Sequence, residues 1–551
     1  MQIESVVIVG GGSSGWMTAA ALSKLCPWLQ IALVESKVIP KVGVGESTLG
    51  HFNKFLKLLG LKDEDWMPHC NATYKNSIQF TNFRTKDSGT FQYPFQTGFH
   101  MPSSTLKLNA LDEIKLLDPS FDVKFAEFFA PSNTYLVKHN KQSNGNEEYL
   151  PKYNFEWDTA YHLDAEKFGE YLRDNVAIPN GVIHMYGDVA GLVKDAGDDP
   201  SGSKKTDVVV GVFTEQGQTI EADLIIDCTG FKSLLLEKQF GSSFVQWNNL
   251  RTNRAWAARI PYTNDVEQKD REMINVTDCE GMNNGWCWTI PLWNRIGTGY
   301  AYSNEFCTDA EAKEEFYNHL VKKYGEDRVD PDKFFRVSIK HGKRRRAWVK
   351  NCVGIGLSYG FVEPLESTGL LTTHENIIRL VEILNRRQGY VTRTEIESYN
   401  FSVDDEINNF YQFVSMHYAF SQRNDTPYWR WATTKHEYDP DMFNTLRRTD
   451  EVWFSIAGNL DRNTYNESMG GMNYILAGMG VRPISTLEHA RMRRAFDKIE
   501  TDEDILNIRD GYLNFRNRME DYIKTLPSHY EYLRDNIYGG VDTCLEEKSP
   551  G

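Results

Sequence analysis

Four apolar residues followed by a glycine-rich turn constrain the fold of this chain more than any other feature. Val6-Val7-Ile8-Val9 has the continuous apolar pattern of a strand buried on both faces, and Gly10-x-Gly12-x-x-Gly15 follows it directly. An alanine-rich segment typical of a helix begins within this turn, and a second apolar strand, 31–34, ends next to Glu35. This order predicts a βαβ unit.

The spacing of the three glycines is that of a dinucleotide-binding turn. The first glycine makes a tight turn, the second lets the backbone approach a pyrophosphate, and the third lets helix and strand pack closely. The helix N-terminus attracts negative charge, and a carboxylate ending the second strand accepts hydrogen bonds from a ribose. A glycine-rich turn without a ligand is the alternative. The predicted cofactor-binding residues are Gly10, Gly12, Ser13, Ser14, Gly15 and Glu35.

Composition restricts the class of protein. The 551 residues are too many for one core, so two or three substructures are expected. A net charge of −15 argues against a nucleic-acid partner. No apolar run is long enough to span a membrane, and the first ten residues lack the basic region of a secretory signal. Eight scattered cysteines without a C-x-x-C pair predict neither a metal site nor a disulfide framework, so a cytoplasmic location is expected.

Two later segments resemble parts of flavoproteins with two dinucleotide-binding motifs. Asp223–Gly230 resembles their second FAD-contacting segment, with Asp227 near the flavin. Gly354–Gly369 stands where such proteins bring a strand end and a helix N-terminus to the flavin ring, so Gly356 and Gly360 are expected to contact the cofactor. The chain has no second GxGxxG for NAD(P)H, which implies that the flavin is reduced elsewhere.

The expected fold class is α/β. An FAD-binding Rossmann-like core of the two-dinucleotide-binding monooxygenase type is followed by a mostly helical C-terminal substrate region. The first domain is predicted to span 1–375, with β-rich, substrate-facing insertions at about 75–160 and 245–345. Amphipathic, charge-bearing segments predict that 376–551 is mainly helical and completes the substrate pocket.

Several motifs together resemble the flavin-dependent halogenases of the tryptophan-halogenase type. They are VGGGSSGWMTAAAL at the N-terminus, GVGEST at Gly43–Thr48, NATYK at Asn71–Lys75, GWCWTIP at Gly285–Pro291 and FVEPLESTG at Phe361–Gly369. The resemblance runs from residue 1 to about 435, with a weaker likeness at Asn473–Gly480. It implies FADH2 from a separate flavin reductase, a halide ion, a small aromatic substrate and a homo-oligomer. Gly45 and Glu46 are then further cofactor-binding residues.

The resemblance also implies roles for matching side chains. In this family, reduced FAD and O2 give a C4a-hydroperoxide that oxidises halide to hypohalous acid, which passes through a tunnel to a lysine. Lys75 matches that lysine, and Glu366 matches the catalytic carboxylate that takes the substrate proton or orients the lysine. Thr368 and Gly369 match the backbone pair that receives halide. The alternatives without a catalytic role are that Lys75 is an ordinary solvated lysine and that Glu366 is an acid in the first turn of a helix.

Two tryptophans in the GWCWTIP motif also match a pair of residues in this family. On a strand, Trp286 and Trp288 point to one face and Cys287 to the other. Paired aromatic residues on a strand are ordinarily core residues. The resemblance implies instead that Trp286, Trp288 and Pro291 shield the flavin from the organic substrate, so that halide is oxidised.

The substrate region departs from the family pattern. FQYPF places Tyr93 where a histidine is common, with Phe95 as its predicted stacking partner for the substrate. Residues 469–472 replace an expected Phe-Trp pair with small and flexible residues, which predicts a wider pocket. A larger indole, a phenol or a broad substrate range is therefore expected over free tryptophan. GLSYG at Gly356–Gly360 replaces the GNAAG of many relatives, which is consistent with a preference for bromide or iodide over chloride.

Two competing functions remain at this point. An FAD-dependent aromatic hydroxylase shares the fold but needs neither Lys75 nor Glu366. A non-catalytic flavin-binding protein needs only the cofactor residues. A one-component hydroxylase oxidises NAD(P)H by itself, whereas a halogenase depends on supplied FADH2.

Overall fold

The structure is a computed structural model that describes residues 1–38, 45–95, 110–197, 206–434, 438, 470–482, 486–497 and 501–540. The chain forms two compact units, each assembled from three segments. Unit 1 comprises Met1–Ala72, Leu163–Asn248 and Lys340–Asn408. Unit 2 comprises Thr73–His162, Asn249–Ile339 and Asn409–Gly551. The domain boundary predicted at residue 375 stays a prediction, because the two units are defined only by how compactly their residues pack.

A six-stranded sheet forms the centre of unit 1. Ser5–Val9 lies inside the sheet, between Leu224–Asp227 and Gln30–Glu35, and is parallel to both. Its apolar residues are buried because neighbouring strands and covering elements enclose both faces. In spatial order the strands are Trp348–Val349, Cys352–Gly354, Leu224–Asp227, Ser5–Val9, Gln30–Glu35 and Ile183–Tyr186.

The predicted βαβ unit is confirmed: helix Ser13–Leu25 connects the two adjacent parallel strands. Unit 1 also contains two three-stranded sheets. One contains Val189–Gly197, Thr206–Thr214 and Thr219–Glu221, and the other contains Phe244–Gln246, Gly342–Arg344 and Gly360–Phe361. The main helices of unit 1 are Ser13–Leu25, Phe52–Leu59, Asp63–Trp66, Ala165–Leu172 and Thr368–Arg386.

Unit 2 is built on a seven-stranded mixed sheet. Its central strand, Gly285–Pro291, is buried along its whole length. Cys287 packs in an apolar cluster with residues of helix Asp309–Tyr324, such as Phe316. In spatial order the strands are Phe335–Ser338, Arg254–Pro261, Arg295–Tyr302, Gly285–Pro291, Val276–Gly281, Ser77–Thr81 and Thr90–Pro94.

The C-terminal part of the chain is helical where the structure describes it, as predicted. Helix Arg393–Ala419 crosses the boundary between the two units. None of the described helices is long and apolar enough to cross a membrane. The helices of unit 2 are Ala110–Leu117, Phe125–Phe129, Pro131–Lys138, Phe155–Asp158, Val266–Glu272, Asp309–Tyr324, Pro427–Ala432, Gly470–Gly478, Leu487–Asp497, Asp502–Lys524 and His529–Asn536.

Candidate active site

The glycine-rich turn of unit 1 has the geometry that a dinucleotide requires. Gly10 has φ of 111°, and a Cβ atom there would lie 2.4 Å from the Cys228 carbonyl oxygen. A Cβ atom on Gly15 would lie 1.9 Å from the Gly10 carbonyl oxygen, so only glycine lets the helix approach this closely. A Cβ atom on Gly12 would face open space. The turn is therefore tight on its protein side and open on the side where a pyrophosphate would approach.

The helix that follows the turn offers free positive potential at its start. Gly12 caps helix Ser13–Leu25 and has no side chain to occupy the first amide groups, and the first turn contains no acidic residue. Ser13 and Ser14 are half-buried there. Unpaired amides at a helix N-terminus suit a pyrophosphate. The residues present thus fit FAD.

Glu35 ends the second strand of the βαβ unit. Its carboxylate is 6% exposed, and Oε1 lies 2.8 Å from Nε2 of His184. Oε2 lies so close to Gly11 that a Cβ atom there would be 1.9 Å away. The acid predicted to bind a ribose is therefore held directly beside the glycine-rich turn.

Asp227 organises a turn with its carboxylate. One oxygen accepts hydrogen bonds from the amide and hydroxyl of Thr229, at 2.9 and 2.7 Å, and the other accepts from the amides of Leu235 and Leu236, both at 2.8 Å. Four such contacts use the whole acceptor capacity of a carboxylate. The structure therefore gives Asp227 a positioning role, and its direct contact with flavin stays a prediction.

The other predicted cofactor residues lie at turns of unit 1. Gly45 has φ of 109°, and Glu46, which is exposed, begins the two-residue strand that follows. Gly356 has φ of 68°, and a Cβ atom there would lie 3.0 Å from Cβ of Ser14. The GLSYG segment therefore lies against the start of the first helix. Its predicted contact with the flavin stays a prediction. A Cβ atom on Gly360 would lie 2.8 Å from the Ile407 side chain.

Arg344 holds the GLSYG segment in place and was missed by the sequence analysis. Its guanidinium is fully buried and forms an ion pair with Glu237 at 2.7 Å. It donates hydrogen bonds to the carbonyl oxygens of Leu357 and Phe231, at 3.2 and 3.1 Å. The three basic residues Arg344–Arg346 give no local signal that the first is the buried one.

Glu366, Thr368 and Gly369 lie at one helix start in unit 1. Glu366 is fully buried and ends the short 3₁₀ turn Pro364–Glu366. Ser367 has φ of 57°, a left-handed conformation that reverses the chain before helix Thr368–Arg386. The side chain of the N-cap residue Ser367 makes no capping hydrogen bond to this helix, and the first turn contains no acid. The amides of Thr368 and Gly369 thus lie at the positive end of a 19-residue helix, which suits a halide ion.

Lys75 lies in unit 2 on strand Thr73–Lys75 and is fully buried. This strand pairs antiparallel with a strand in which Ala160 stands opposite Lys75. Nζ of Lys75 lies 5.0 Å from the centroid of the Phe95 ring. The burial of Lys75 excludes the alternative of a half-exposed, solvated lysine.

A polar network that the sequence analysis missed surrounds Asn76, the next residue. Its amide group donates to Gln142 at 3.0 Å and accepts from Thr159 at 3.3 Å. Its carbonyl oxygen accepts a hydrogen bond from Asn133 at 2.9 Å, and its backbone amide donates to Asn275 at 2.8 Å. Buried networks of this kind fix a backbone in one position.

The tryptophan pair lies on the face of strand Gly285–Pro291 opposite to Cys287, as predicted. The rings of Trp286 and Trp288 are 5.9 Å apart, at an angle of 58°. A Cβ atom on Gly299 would lie 2.2 Å from the Trp288 ring, so glycine on the neighbouring strand makes room for this indole. The carbonyl oxygen of Pro291 accepts a hydrogen bond from the Thr73 hydroxyl at 2.6 Å.

Tyr93 and Phe95 are half-buried and meet edge to face, with ring centroids 6.0 Å apart. They form a corner beside Lys75 and do not stack on one another. A Cβ atom on Gly471 would lie 2.5 Å from the Tyr93 ring and 2.7 Å from the Phe413 ring, and the wider pocket stays a prediction. The space that the missing side chain leaves is filled by these rings. Met469 lies outside the described residues.

Comparison with known proteins identifies the family. The sequence profile of the Tryptophan halogenase family matches residues 5–495, well beyond the limit of about 435 inferred from motifs. Tryptophan 7-halogenase RebH of Lentzea aerocolonigenes is 31% identical over 97% of this chain and 98% of its own.

Two solved structures share the fold over nearly the full length. The apo structure of VirX1 is 48% identical, with a TM-score of 0.86 over 98% of this chain and 100% of its own. Tar14, a tryptophan C-6 flavin-dependent halogenase (chlorinase) from taromycin biosynthesis, is 29% identical, with a TM-score of 0.78 over 96% of this chain and 99% of its own. The chain therefore belongs to the tryptophan halogenase family and is a flavin-dependent halogenase, an enzyme that uses FADH2 from a separate reductase together with a halide ion.

Proposed function

We propose that this enzyme oxidises halide at the helix start of Thr368 and Gly369 and transfers the halogen to an electron-rich aromatic substrate beside Lys75. The burial of Lys75 carries this proposal. A lysine without solvent exposure loses the hydration of its ammonium group, so the groups around it must take over the contacts that water would make. A reactive or hydrogen-bonding role next to an aromatic substrate accounts for it.

Reduced flavin and O2 supply the oxidant, and residues of the protein bind the halide, exclude the organic substrate from the oxidant and direct the halogen. The amides of Thr368 and Gly369 hold the halide, which becomes hypohalous acid, and Trp286, Trp288 and Pro291 keep the organic substrate from reacting with the oxidant. Lys75 donates a hydrogen bond to hypohalous acid and directs its halogen to the ring carbon. A carbon–halogen bond forms as the oxygen–halogen bond breaks, and the leaving hydroxide takes a proton from Lys75 and departs as water. Glu366 accepts the proton that the ring carbon loses, so the proton that Lys75 gives up is balanced by the one that Glu366 gains.

The substrate proposal rests on the corner formed by Tyr93 and Phe95. Their half-buried rings offer apolar and π surface for an indole or a phenol. Because residues 469–472 depart from the Phe-Trp pair of the family pattern, a larger indole or a phenol is the proposed substrate class. RebH and Tar14 are named as tryptophan halogenases, so free tryptophan belongs in the test panel.

Bromide or iodide is proposed over chloride. GLSYG in place of the GNAAG of relatives supports this preference, since this segment lies against the first helix and is followed by the halide-binding helix start. A separate flavin reductase is the proposed protein partner. Residence in the cytoplasm and a homo-oligomer also stay proposals.

The experiment is mass spectrometry of reactions that contain a flavin reductase, FAD, NADH, O2 and a panel of indoles and phenols. Each reaction is run with chloride, bromide or iodide, for the wild type and for Lys75→Ala. Halogenated product from the wild type and none from the variant supports the proposal and ranks the halides. Product that carries one added oxygen indicates a hydroxylase, and normal halogenation by Lys75→Ala removes the role proposed for the lysine.

A further inference from the structure

Two buried histidines hold the short strand that carries Lys75. His162 contacts the side chain of Thr73 on this strand, and His529 contacts the backbone amide of Tyr74. Both imidazoles are fully buried. Because neither histidine lies near Lys75 in the sequence, only the fold brings them together.

His162 lies on the same face of its strand pair as Lys75. Thr73 stands opposite His162, and Lys75 stands opposite Ala160. Side chains two residues apart on a strand share a face, so Thr73, Lys75, Ala160 and His162 form one patch. The small side chain of Ala160 leaves room for the lysine, and His162 is its diagonal neighbour.

The hydrogen bonds of His162 define its tautomer. The single hydroxyl proton of Thr73 is donated to the Pro291 carbonyl oxygen at 2.6 Å, so Thr73 Oγ1 accepts from the Nδ1–H of His162 at 3.4 Å. Nε2 is then the acceptor and receives the hydroxyl proton of Thr277 at 2.8 Å. This assignment follows from the hydrogen-bond network and describes a neutral imidazole.

The charges around His162 agree with a neutral ring. The pKa of His162 lies far below its usual range, and burial is the largest cause. Lys75 and then His529 lower this pKa further, whereas a hydrogen bond to Pro291 raises it. His529 is itself neutral near pH 7, because burial lowers its pKa to about 4. A charged imidazole at this place would repel the Lys75 ammonium.

We propose that His162, as the neutral Nδ1–H tautomer, is a positioning residue for Lys75. Through Thr73 it ties the lysine strand to the carbonyl of Pro291 at the end of the tryptophan strand. It thereby fixes the origin of the lysine side chain and keeps a second positive charge away from it. This inference rests on the role proposed for Lys75 in halogen transfer.

The first test needs no turnover. Nitrogen chemical shifts of ¹⁵N-histidine-labelled protein, with the His162 signals assigned by their loss in His162→Asn, report the protonation of each ring nitrogen. The expected result between pH 6 and 8 is a protonated Nδ1 and an unprotonated Nε2. A doubly protonated ring or the opposite tautomer overturns the proposal, whether or not the halogenase reaction is as proposed.

The second test measures how much hypohalous acid reaches the substrate. The ratio of halogenated substrate to hypohalous acid captured by a diffusible trap is compared for the wild type, His162→Phe, Thr73→Val and Thr73→Ser. Misplacement of a catalytic group by a fraction of an ångström is expected to lower this ratio about tenfold in His162→Phe and Thr73→Val. Thr73→Ser keeps the hydroxyl group, so its ratio of halogenated substrate to trapped hypohalous acid is expected to equal that of the wild type.

Outcomes of the second test separate positioning from folding. A variant that is only destabilised loses halogenated product and trapped hypohalous acid in the same proportion, so an unchanged ratio overturns the proposal. A ratio that falls equally in Thr73→Ser and Thr73→Val also overturns it. If the wild type forms no hypohalous acid with any halide, the proposed function fails, and the tautomer measurement still decides the state of His162.

Discussion

The ammonium group of Lys75 lies 5.0 Å from the centre of the Phe95 ring, and no part of the lysine is exposed to solvent. A cation at this distance from an aromatic face gains about 0.5–2 kcal/mol, which offsets part of its lost hydration. Phe95 itself is half-buried, so its ring both supports the lysine and offers surface to a substrate. This pair places a charged donor beside an apolar binding surface.

Replacement of Lys75 by methionine is expected to remove halogenation while the protein remains folded. Methionine has similar length and volume, so the strand keeps its packing, but it donates no hydrogen bond to hypohalous acid. Product formation should fall by about 100-fold or more, the usual range for loss of a positioned proton donor. Mass spectrometry of the product and thermal unfolding of the variant are the two measurements. Lys54→Met on helix Phe52–Leu59 is the control and should halogenate normally.

Replacement of Glu366 by glutamine is expected to lower kcat by about 100-fold with little change in KM, because the variant keeps its shape and loses only the proton acceptor. Steady-state kinetics with saturating FADH2 measure both constants. Glu375→Gln, on the helix that follows, is a control for loss of one negative charge and should keep its activity. A rise in KM with an unchanged kcat would contradict the proposed role.

Glycine spacing predicted the turn before the first helix, and the resemblance to the family predicted the segment at the later helix start. The turn at Gly10–Gly15 and the segment Glu366–Gly369 each lie within a few residues, so their local geometry is encoded where they stand. The βαβ unit followed from apolar pattern alone. His162 was not predicted, since its partners Thr73 and Thr277 meet it only through strand pairing across long stretches of chain.

The wider pocket stays a prediction for a related reason. Glycine at position 471 shows that a side chain is absent but does not show what fills the space. Tyr93 and Phe413 come from distant segments and occupy it. Volume in a protein interior is a property of packing between segments, so composition at one of them does not define it.

Alanine substitutions at Gly12 and Gly15 are expected to separate cofactor binding from folding. At Gly12 the new methyl group meets open space, so unfolding temperature should hardly change, whereas FAD affinity should fall about tenfold or more as the pyrophosphate is held away. At Gly15 the methyl group would lie 1.9 Å from a carbonyl oxygen, and overpacking should cost about 1–3 kcal/mol of stability. Thermal unfolding and FAD titration by fluorescence measure the two effects. Equal destabilisation by both variants would contradict this division of roles.

Conversion of Trp288 to leucine is expected to expose the oxidant to the organic substrate. The indole fills the space above Gly299, and a smaller side chain leaves room that a substrate ring can enter. A product with one added oxygen should appear in mass spectra beside the halogenated product, in the variant and not in the wild type. A variant that loses total turnover but never yields an oxygenated product would show that the tryptophan pair serves the core alone.

His374 is expected to make the stability of the protein fall in mild acid. Burial lowers its pKa from 6.5 to about 3, with His51 and Lys54 adding to the effect, and its ring packs against Phe52 and Phe55. The unfolded chain takes up a proton below pH 6.5 while the folded protein does not, so this contribution is complete above pH 6.5 and is lost progressively toward pH 3.

At pH 5 the unfolded state gains about 2 kcal/mol from this one proton. Urea unfolding at pH 7.5 and pH 5 should therefore show a smaller pH dependence in His374→Phe than in the wild type, because phenylalanine keeps the stacking and cannot bind a proton. His69→Phe replaces an exposed histidine and should leave the pH dependence unchanged. The same slope in the wild type and in His374→Phe would mean that His374 is protonated in the folded protein at pH 5.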